Sequence, residues 1–478
     1  MTGLTWIHLS DWHQEGKKFD RKVVGDALIA DIKNRKAIHP DLGEIDFIIF
    51  SGDAANTGQT QEYDDSFNEL FQPLLIASGV DPKRLFIVPG NHDLDRGLIP
   101  AALSKLPTSY DQIECCWIEK DKRTQLFQPF QAFYQFLSKC TGHNQPKFAD
   151  SNIMEIRGEK IAILGINSAW MCARNRGRGK KIIDQGFLYV GEPQIFEPLK
   201  LISNANIKIA VLHHPLDWLA PLDLSRVEVR LKRKCNFILH GHGHKPGVSE
   251  INDNFGYYTI IPAGACYDRR DPLNSSYTFS YNFVHLDLDT NKGTVFLRRW
   301  SEQNREWRKD DETCPEGQFI FSVFKNPIPH QIPLPPQDFI GRDEDLKEIL
   351  SHFDNGETMI VLGGLGGIGK TALAYKLAEK LKDRYPDGQI FVDLQGNSQS
   401  QKPLETTEAM GQIIRSFDRT ASLPKSKFEL ANLYRSTLDG RRALLLLDNA
   451  FDDHQVSPLQ PPFACGVLIT SRTRLTLP

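Results

Sequence analysis

Cysteine is scarce in this sequence. Eight thiols in 478 residues are too few for a disulfide scaffold and suit a reducing, intracellular setting. Long hydrophobic runs are missing: no segment approaches the roughly 18 consecutive apolar residues that a membrane helix needs, so no membrane partner is expected. The N-terminus, Met1-Thr2-Gly3-Leu4-Thr5-Trp6, lacks the basic-then-apolar layout of a signal peptide and runs straight into structure. A cytoplasmic protein is expected. Excess charge of either sign is also lacking. Lys+Arg number 57 against 60 Asp+Glu, a net charge of −3, which excludes a globally basic nucleic-acid coat but not a local basic groove. Internal repeats and low-complexity tracts are absent. What remains is the ordinary composition of a globular protein, 40% hydrophobic and 24% charged, long enough for about two to four domains.

Two discontinuities organise the chain. Eleven of the 14 histidines lie before residue 300, so the first part has a chemistry of its own. The stretch Asn326-Pro327-Ile328-Pro329-His330-Gln331-Ile332-Pro333-Leu334-Pro335-Pro336 holds five prolines and reads as an extended, semi-rigid spacer. The expected boundaries are therefore a first domain over 1–325, a linker over 326–337 and a second domain over 338–478. Before the spacer, short apolar runs of buried-strand character recur at Trp6–Leu9, Phe47–Phe50, Leu85–Val88, Ile161–Ile166, Ile207–Leu212 and Phe237–Leu239. Gln125–Lys139 carries aromatics at helical spacing and reads as a core-facing helix. After residue 255 the pattern alternates, giving an α/β layered domain closed by antiparallel strands. After the spacer, strands are expected at Met359–Leu362, Ile390–Leu394, Ala443–Leu447 and Val467–Thr470, with a helix at Ala372–Leu381. That order implies a parallel sheet with helices on its faces.

Polar residues follow the predicted strands of the first domain. Asp11-Trp12-His13 follows the first, Gly52-Asp53 the second, Gly90-Asn91-His92-Asp93 the third, His213-His214 a later one and Gly241-His242-Gly243-His244 the next. C-terminal strand ends of such a sheet share one edge, where ligand sites form. Mixed imidazole and carboxylate donors suit first-row divalent metals. Their number exceeds what one cation needs and fits two cations that share a carboxylate, an arrangement that activates water for in-line phosphoryl displacement. Gly52, Gly90 and Gly241 are expected to turn the backbone sharply and keep bulk away from the substrate. His214 and His240 read as neighbours of the motifs. Two basic clusters, Arg174–Lys181 and Arg226–Lys234, could draw a polyanion toward the metals, although such runs are as often solvated surface.

The series D-x-H, G-D, G-N-H-D, H and G-H-x-H resembles the calcineurin-like metallophosphoesterases over about residues 1–300. Ser51-Gly52-Asp53 with Glu62-Tyr63, and Val88-Pro89-Gly90-Asn91-His92-Asp93, look most like the branch that contains cyclic-nucleotide phosphodiesterases. The resemblance implies a four-layer αββα sandwich. It implies that Asp11, His13 and His244 hold one metal, that Asn91, His213 and His242 hold the other, and that Asp53 bridges. It places His92 near the leaving oxygen, oriented by Asp93. Mn2+ is the first expectation for the metals, with Fe, Zn and Mg as alternatives. A long insertion, about residues 97–160, is expected to cover the site.

In the second domain, Gly364-Leu365-Gly366-Gly367-Ile368-Gly369-Lys370-Thr371 matches G-x-x-x-x-G-K-S/T between a strand and a helix. Its backbone N–H groups, with those of Gly364, Gly366, Gly367 and Gly369 among them, can wrap phosphates. Lys370 reaches the β/γ-phosphates, and Thr371 and Asp448, at the end of a leucine strand, face Mg2+. Asn449 follows Asp448, and an amide is a poor general base, which suggests a switch rather than a fast motor. With Phe339-Ile340-Gly341-Arg342-Asp343-Glu344 and Thr470-Ser471-Arg472, the module resembles the NB-ARC class of STAND ATPases over about residues 335–478. The resemblance implies ATP or ADP with Mg2+, a sensor role for Arg472 near the γ-phosphate and self-oligomerisation on activation. The helical and winged-helix parts that follow in that class are not in this sequence, so the P-loop domain is read as partial.

The combination predicts a metal-dependent phosphodiesterase, a nuclease acting on DNA or RNA, held in check by a nucleotide-switched module; its layout is similar to bacterial STAND effectors of antiphage defence. The alternatives are a small-molecule phosphodiesterase acting on cyclic nucleotides, and a nucleotide-gated scaffold with an inert phosphoesterase domain.

Overall fold

Along the first strand the side chains take turns. Leu4 and Trp6 enter one core with Phe47 and Ile49 of the next strand, while Ile7 and Leu9 enter another with Ile48 and Phe50. This alternation is the two-residue period of a strand buried on both faces. A computed structural model describes residues 3–16, 18–101, 105–142, 149–175, 182–254, 256–268, 279–324, 329–396, 402–417, 421 and 423–476. The chain divides into two compact units, Met1–Phe324 and Lys325–Pro478.

In chain order the first unit contains β1 (Gly3–Leu9), β2 (Phe47–Phe50), β3 (Leu85–Ile87), β4 (Ala149–Ile156), β5 (Glu159–Ile166), β6 (Ile207–Val211), β7 (Phe237–His240), β8 (Ser249–Asp253), β9 (Gly256–Pro262), β10 (Ser280–Asp287), β11 (Lys292–Ser301), β12 (Glu306–Lys309) and β13 (Gln318–Ser322). One sheet has the order β12-β11-β10-β1-β2-β3, with β13 also on β11; the second runs β4-β5-β6-β7-β9-β8. Their facing sides share a core in which Trp6, Phe47, Val284 and Val295 meet Ile161, Ile207, Phe237 and Leu239. Trp6 is fully buried and stacks on Phe47 at 5.4 Å between ring centroids; truncating such a residue to alanine costs about 3–5 kcal/mol. The outer faces carry helices. Val24, Leu28 and Ile32 of the helix Phe19–Lys33 cover the first sheet, and Ile195, Val227 and Leu231 of the helices Pro193–Leu201 and Pro221–Lys234 cover the second. The order of layers is αββα, as the resemblance implies.

The predicted helix over Gln125–Lys139 is broken. Pro129 cannot continue it, and the segment becomes a helix Lys120–Phe127, a 3₁₀ turn Gln128–Phe130 and a helix Gln131–Thr141. The aromatic stripe still serves the core: Phe136 stacks on Tyr63 at 4.9 Å and meets Phe71 edge-on at 5.1 Å. This part of the insertion thus builds the outer helical layer. Strands β4, β8, β12 and β13 are not among the predicted strands, and β8 and β12 carry little apolar signal. In β8, for example, Ser249, Glu250, Asn252 and Asp253 are all exposed.

The second unit contains β14 (Met359–Gly363), β15 (Gly388–Asp393), β16 (Ala443–Ala450) and β17 (Gly466–Ser471), all parallel in the order β14-β17-β16-β15. Leu445, Leu447 and Ile469 face the helices Thr406–Phe417 and Lys427–Leu438, while Leu444, Leu446 and Leu468 face Lys370–Lys380 and Asp343–Asp354. Residues 326–328 of the expected linker lie outside the described residues. Pro329–Gln331 is extended, as its proline dictates, but pairs with the outer strand: Gln389 N donates to Pro329 O and Gln331 N to Gln389 O, each at 2.7 Å. All eight cysteines are free thiols. No helix among the described residues is long and apolar enough to cross a membrane.

Candidate metal centre and nucleotide site

The five polar motifs meet, but on two sheets rather than one. The D-x-H, G-D and G-N-H-D segments leave the C-terminal ends of the parallel strands β1, β2 and β3, and the H and G-H-x-H segments leave those of β6 and β7. Backbone bonds stitch the turns together: Asp11 N donates to Gly52 O at 2.9 Å, His13 N to Asp53 O at 3.0 Å, and Gly241 N to His213 O at 3.0 Å. Asp11, His13, Asp53, His242 and His244 all adopt the left-handed conformation, with φ between 47° and 62°. Non-glycine residues rarely do so, and such strain concentrates at functional sites.

Two groups of donor atoms result. His213 Nε2 has Asn91 Oδ1 at 3.1 Å, His242 Nδ1 at 3.2 Å and Asp53 Oδ2 at 3.2 Å. Asp11 Oδ1 has His244 Nε2 at 3.0 Å and His13 Nε2 at 3.6 Å. Asp53 lies between the groups, its Oδ2 4.0 Å from His13 Nδ1. The sets Asp11–His13–His244, Asp11–Asp53–His213 and His13–Asp53–His92 each hold donor atoms within 4.8 Å of one another. Asp53 Oδ2 and His13 Nε2 are buried polar atoms without a hydrogen-bond partner in the described structure. Buried polar atoms are almost always satisfied, so lone pairs aimed at a common space fit a divalent cation. Outer contacts set the ring orientations: His213 Nδ1 donates to Ser51 O at 2.7 Å, leaving Nε2 as the acceptor atom.

Burial alone would raise the pKa of Asp53, but the imidazoles of His213 and His92 outweigh it and hold the carboxyl far below its usual range. Burial likewise disfavours charge on His213 and His244, yet Asp53 raises the first to about 9, and Asp11 with Asp268 raises the second to about 10. His242, whose burial is reinforced by His213, falls to about 3. Lone pairs that attract protons this strongly also attract a cation, and metal binding displaces the protons.

Three expectations need correction. Asp93 does not orient His92. Its carboxylate accepts the N–H groups of Gly90 at 2.9 Å, Asp53 at 2.8 Å and Ala55 at 3.0 Å, and the Tyr63 hydroxyl at 3.0 Å. It therefore pins the turn that carries Asp53, while His92 Nδ1 donates to Asn56 O at 2.8 Å. The glycines do not all serve the same turn. Only Gly52 has positive φ, at 108°, whereas a Cβ on Gly90 would lie 2.1 Å from Asp53 Oδ1 and one on Gly241 1.9 Å from Ser10 Oγ. The last two are required by close packing around the site. The Arg226–Lys234 cluster does not lead to the motifs. Its last turn lies where β7 begins, the motifs lie where β7 ends, and Glu192 pairs with both Arg226 and Arg230. Residues 176–181 of the other cluster lie outside the described residues. Arg174 is buried, and its Nη1 donates to Cys172 O at 3.0 Å.

His214, expected as a neighbour, has a ring nitrogen within 4.8 Å of donor atoms of His213 and His242, while Ser168 Oγ lies 2.9 Å from its Nδ1 and Cys172 Sγ 3.8 Å from its Nε2. No sequence pattern points to Asp268, whose Oδ2 is 2.9 Å from His244 Nδ1, or to Asn56, which acts through a backbone carbonyl. Tyr63 was visible only as part of a motif.

In the second unit a cavity of about 400 Å3 is lined by Gly366, Gly367, Gly369, Lys370, Thr371, Asp393, Asp448 and Arg472 among others. Gly364, Gly367 and Gly369 have φ of 151°, 81° and 89°, which wraps the loop so that N–H groups line a concave surface. Thr371 Oγ1 and Thr470 Oγ1 both donate to Asp448 Oδ1, at 2.8 and 2.5 Å. Lys370 Nζ is turned back on the carbonyls of Gly364 and Leu365 at 2.7 and 2.8 Å. The Arg472 guanidinium lies over Gly366, 3.3 Å from where a Cβ would stand.

Comparison with known proteins finds a family for each part of the chain. The calcineurin-like phosphoesterase family matches residues 4–246, and the NB-ARC domain matches residues 342–475. The regulatory protein AfsR of Streptomyces griseus is 41% identical over 179 residues, covering 36% of this chain and 18% of that protein. The uncharacterized metallophosphoesterase-like protein YydB of Bacillus subtilis is 20% identical over 335 residues, covering 66% and 64%. The chain thus spans less than a fifth of the AfsR length and about two thirds of YydB. Among solved structures, GAP50 of Plasmodium aligns at a TM-score of 0.36 and 14% identity over 64% of this chain and 87% of that one, a likeness on which nothing below depends. The chain belongs to the calcineurin-like phosphoesterases, and an NB-ARC domain follows its phosphoesterase domain.

Proposed function

We propose that the protein hydrolyses phosphodiesters with two divalent cations, Mn2+ foremost, and that ATP or ADP on its NB-ARC domain controls the activity. One cation is held by Asp11, His13 and His244, the other by Asn91, His213 and His242, with Asp53 shared. The carrying observation is the convergence of these donors, with Asp53 Oδ2 and His13 Nε2 buried and unsatisfied between them. Cations held by these residues would supply activation of a water and neutralisation of charge on the attacking and leaving oxygens.

The chain's own residues do the rest. Asn56 O fixes His92 Nδ1 as a donor, so the second ring nitrogen is the one that exchanges a proton with the leaving oxygen, and only the imidazolium form can give one up. Burial lowers the pKa of His92, which favours release of that proton. Asp93, through the amides of Gly90, Asp53 and Ala55, keeps Asp53 in place. In the second domain Gly364, Gly366, Gly367, Gly369 and Lys370 receive the phosphates, Thr371 and Asp448 face Mg2+, and Arg472 reads the terminal phosphate. The nucleotide state releases the phosphoesterase through self-association in the cytoplasm, where eight free thiols persist.

Nucleic acid is the first substrate of this reading, in a defence role. The observation that favours a small phosphodiester such as a cyclic nucleotide is the Arg226–Lys234 cluster, engaged by Glu192 away from the motifs. A panel of plasmid DNA, RNA, cyclic AMP and bis-p-nitrophenyl phosphate, with Mn2+ and with or without ATP, decides between them. Cleavage that survives Asp53→Ala overturns the metal reading, and cleavage indifferent to Lys370→Ala overturns the nucleotide control.

A further inference from the structure

After β9 the chain passes the end of β7 and is then tied to the D-x-H turn by two consecutive residues. Ala263 N donates to His240 O at 2.8 Å, Cys266 N to Ser10 O at 2.9 Å and Tyr267 N to Asp11 O at 3.1 Å. The Tyr267 ring then packs against Trp12, at 6.1 Å, and against the buried Arg21 guanidinium, at 5.6 Å. Asp268 is the next residue. With its backbone so anchored, its carboxylate has little freedom, and Oδ2 stands 2.9 Å from His244 Nδ1. The contact puts a negative charge beside the ring. His244 is 3% exposed and Asp268 17%, and water screens the pair little.

The consequence follows from the ring. A neutral imidazole has one N–H and one lone pair. A carboxylate beside Nδ1 draws the proton there and leaves the Nε2 lone pair facing Asp11 Oδ1, 3.0 Å away. His213 in the other group is served differently, because its Nδ1 meets the neutral carbonyl of Ser51. The two groups already differ in charge, since Asp11 stands where the other has the amide of Asn91, and Asp268 widens that difference. We infer that Asp268 is a positioning residue that fixes the tautomer of His244 and makes the Asp11–His13–His244 group the tighter of the two cation sites. This rests on the two-cation reading above.

The test is an Mn2+ titration of the full chain, followed by calorimetry and by counting bound Mn2+. The wild type should bind in two phases. Asp268→Ala should weaken the tighter phase about 10- to 100-fold, the usual effect of losing an outer partner of a histidine ligand, and Asp268→Asn should recover part of it. Asn91→Ala should weaken the looser phase instead. In a His244→Ala background, Asp268→Ala should add nothing, a coupling that general loss of structure would not give. Unchanged tight binding in Asp268→Ala, or equal weakening of both phases, overturns the proposal while leaving two cations in place. A wild type that binds no Mn2+ overturns the two-cation reading and this inference with it.

Discussion

The two sites are built in opposite ways. The phosphoesterase centre draws side chains from five strand ends spread over residues 11–244, on strained backbone and mostly out of reach of solvent. The nucleotide site draws chiefly on backbone N–H groups of one eight-residue loop, Gly364–Thr371, most of it exposed. The first can form only when two sheets have packed against each other. The second needs one strand, one turn and the start of one helix. Metal chemistry requires several lone pairs around a point, which no short segment can supply, whereas a phosphate chain is satisfied by consecutive donors along a curved backbone.

Separate perturbation of each site should have the largest effect. Asp53→Ala should cut phosphodiesterase turnover by more than about 10²-fold, since even outer partners cost 10- to 100-fold, while nucleotide affinity measured by calorimetry stays as in the wild type. Lys370→Ala should do the reverse, abolishing nucleotide binding and leaving Mn2+ stoichiometry unchanged. Asp93→Asn should come next, lowering turnover about 10-fold or more without removing any donor. A crystal structure should show the turn at residues 53–55 displaced. The glycines sharpen the contrast. Gly90→Ala would overpack a crowded turn and should cost about 1–3 kcal/mol in a urea melt. Gly367→Ala meets nothing within 4 Å but sits at φ 81°, so its cost should be the left-handed penalty of about 1–2 kcal/mol, with nucleotide affinity more affected than stability. The smallest effect belongs to Arg230→Ala. Its guanidinium is exposed although its partner Glu192 is half-buried, and pairs open to solvent contribute about 0–1 kcal/mol. Turnover on plasmid DNA should be unchanged, and a clear loss would show that the Arg226–Lys234 cluster guides substrate after all.

The sequence exposed a part of each site in proportion to how locally it is encoded. The phosphate loop was fully visible because its residues are contiguous. Asp11, His13, Asp53, Asn91, His213, His242 and His244 were visible because each follows a run of Ile, Val, Leu or Phe whose strand character is strong. Asp268 was not, since its relation to His244 depends on how the chain returns from β9, and Asn56 was not, since a carbonyl has no letter of its own. Asp93 is the residue whose role differs: proximity in sequence suggests His92, but its oxygens go to Gly90 of its own turn and to three groups from elsewhere in the chain. In the fold, apolar strands were legible, and polar edge strands such as β8 were not. Pro129 marked a helix break that the aromatic spacing around it disguised.

Five side chains at the phosphoesterase centre hang from turns wound the wrong way for their residue types. Each such turn costs on the order of 1–3 kcal/mol and persists only where its surroundings hold it. A bound ion is one of those restraints, so this end of the sandwich behaves like a clasp under tension. Chelation should release it unevenly: amide exchange should quicken first at Asp11, His13, Asp53, His242 and His244, while the layer around Trp6 and Phe47 keeps its protection.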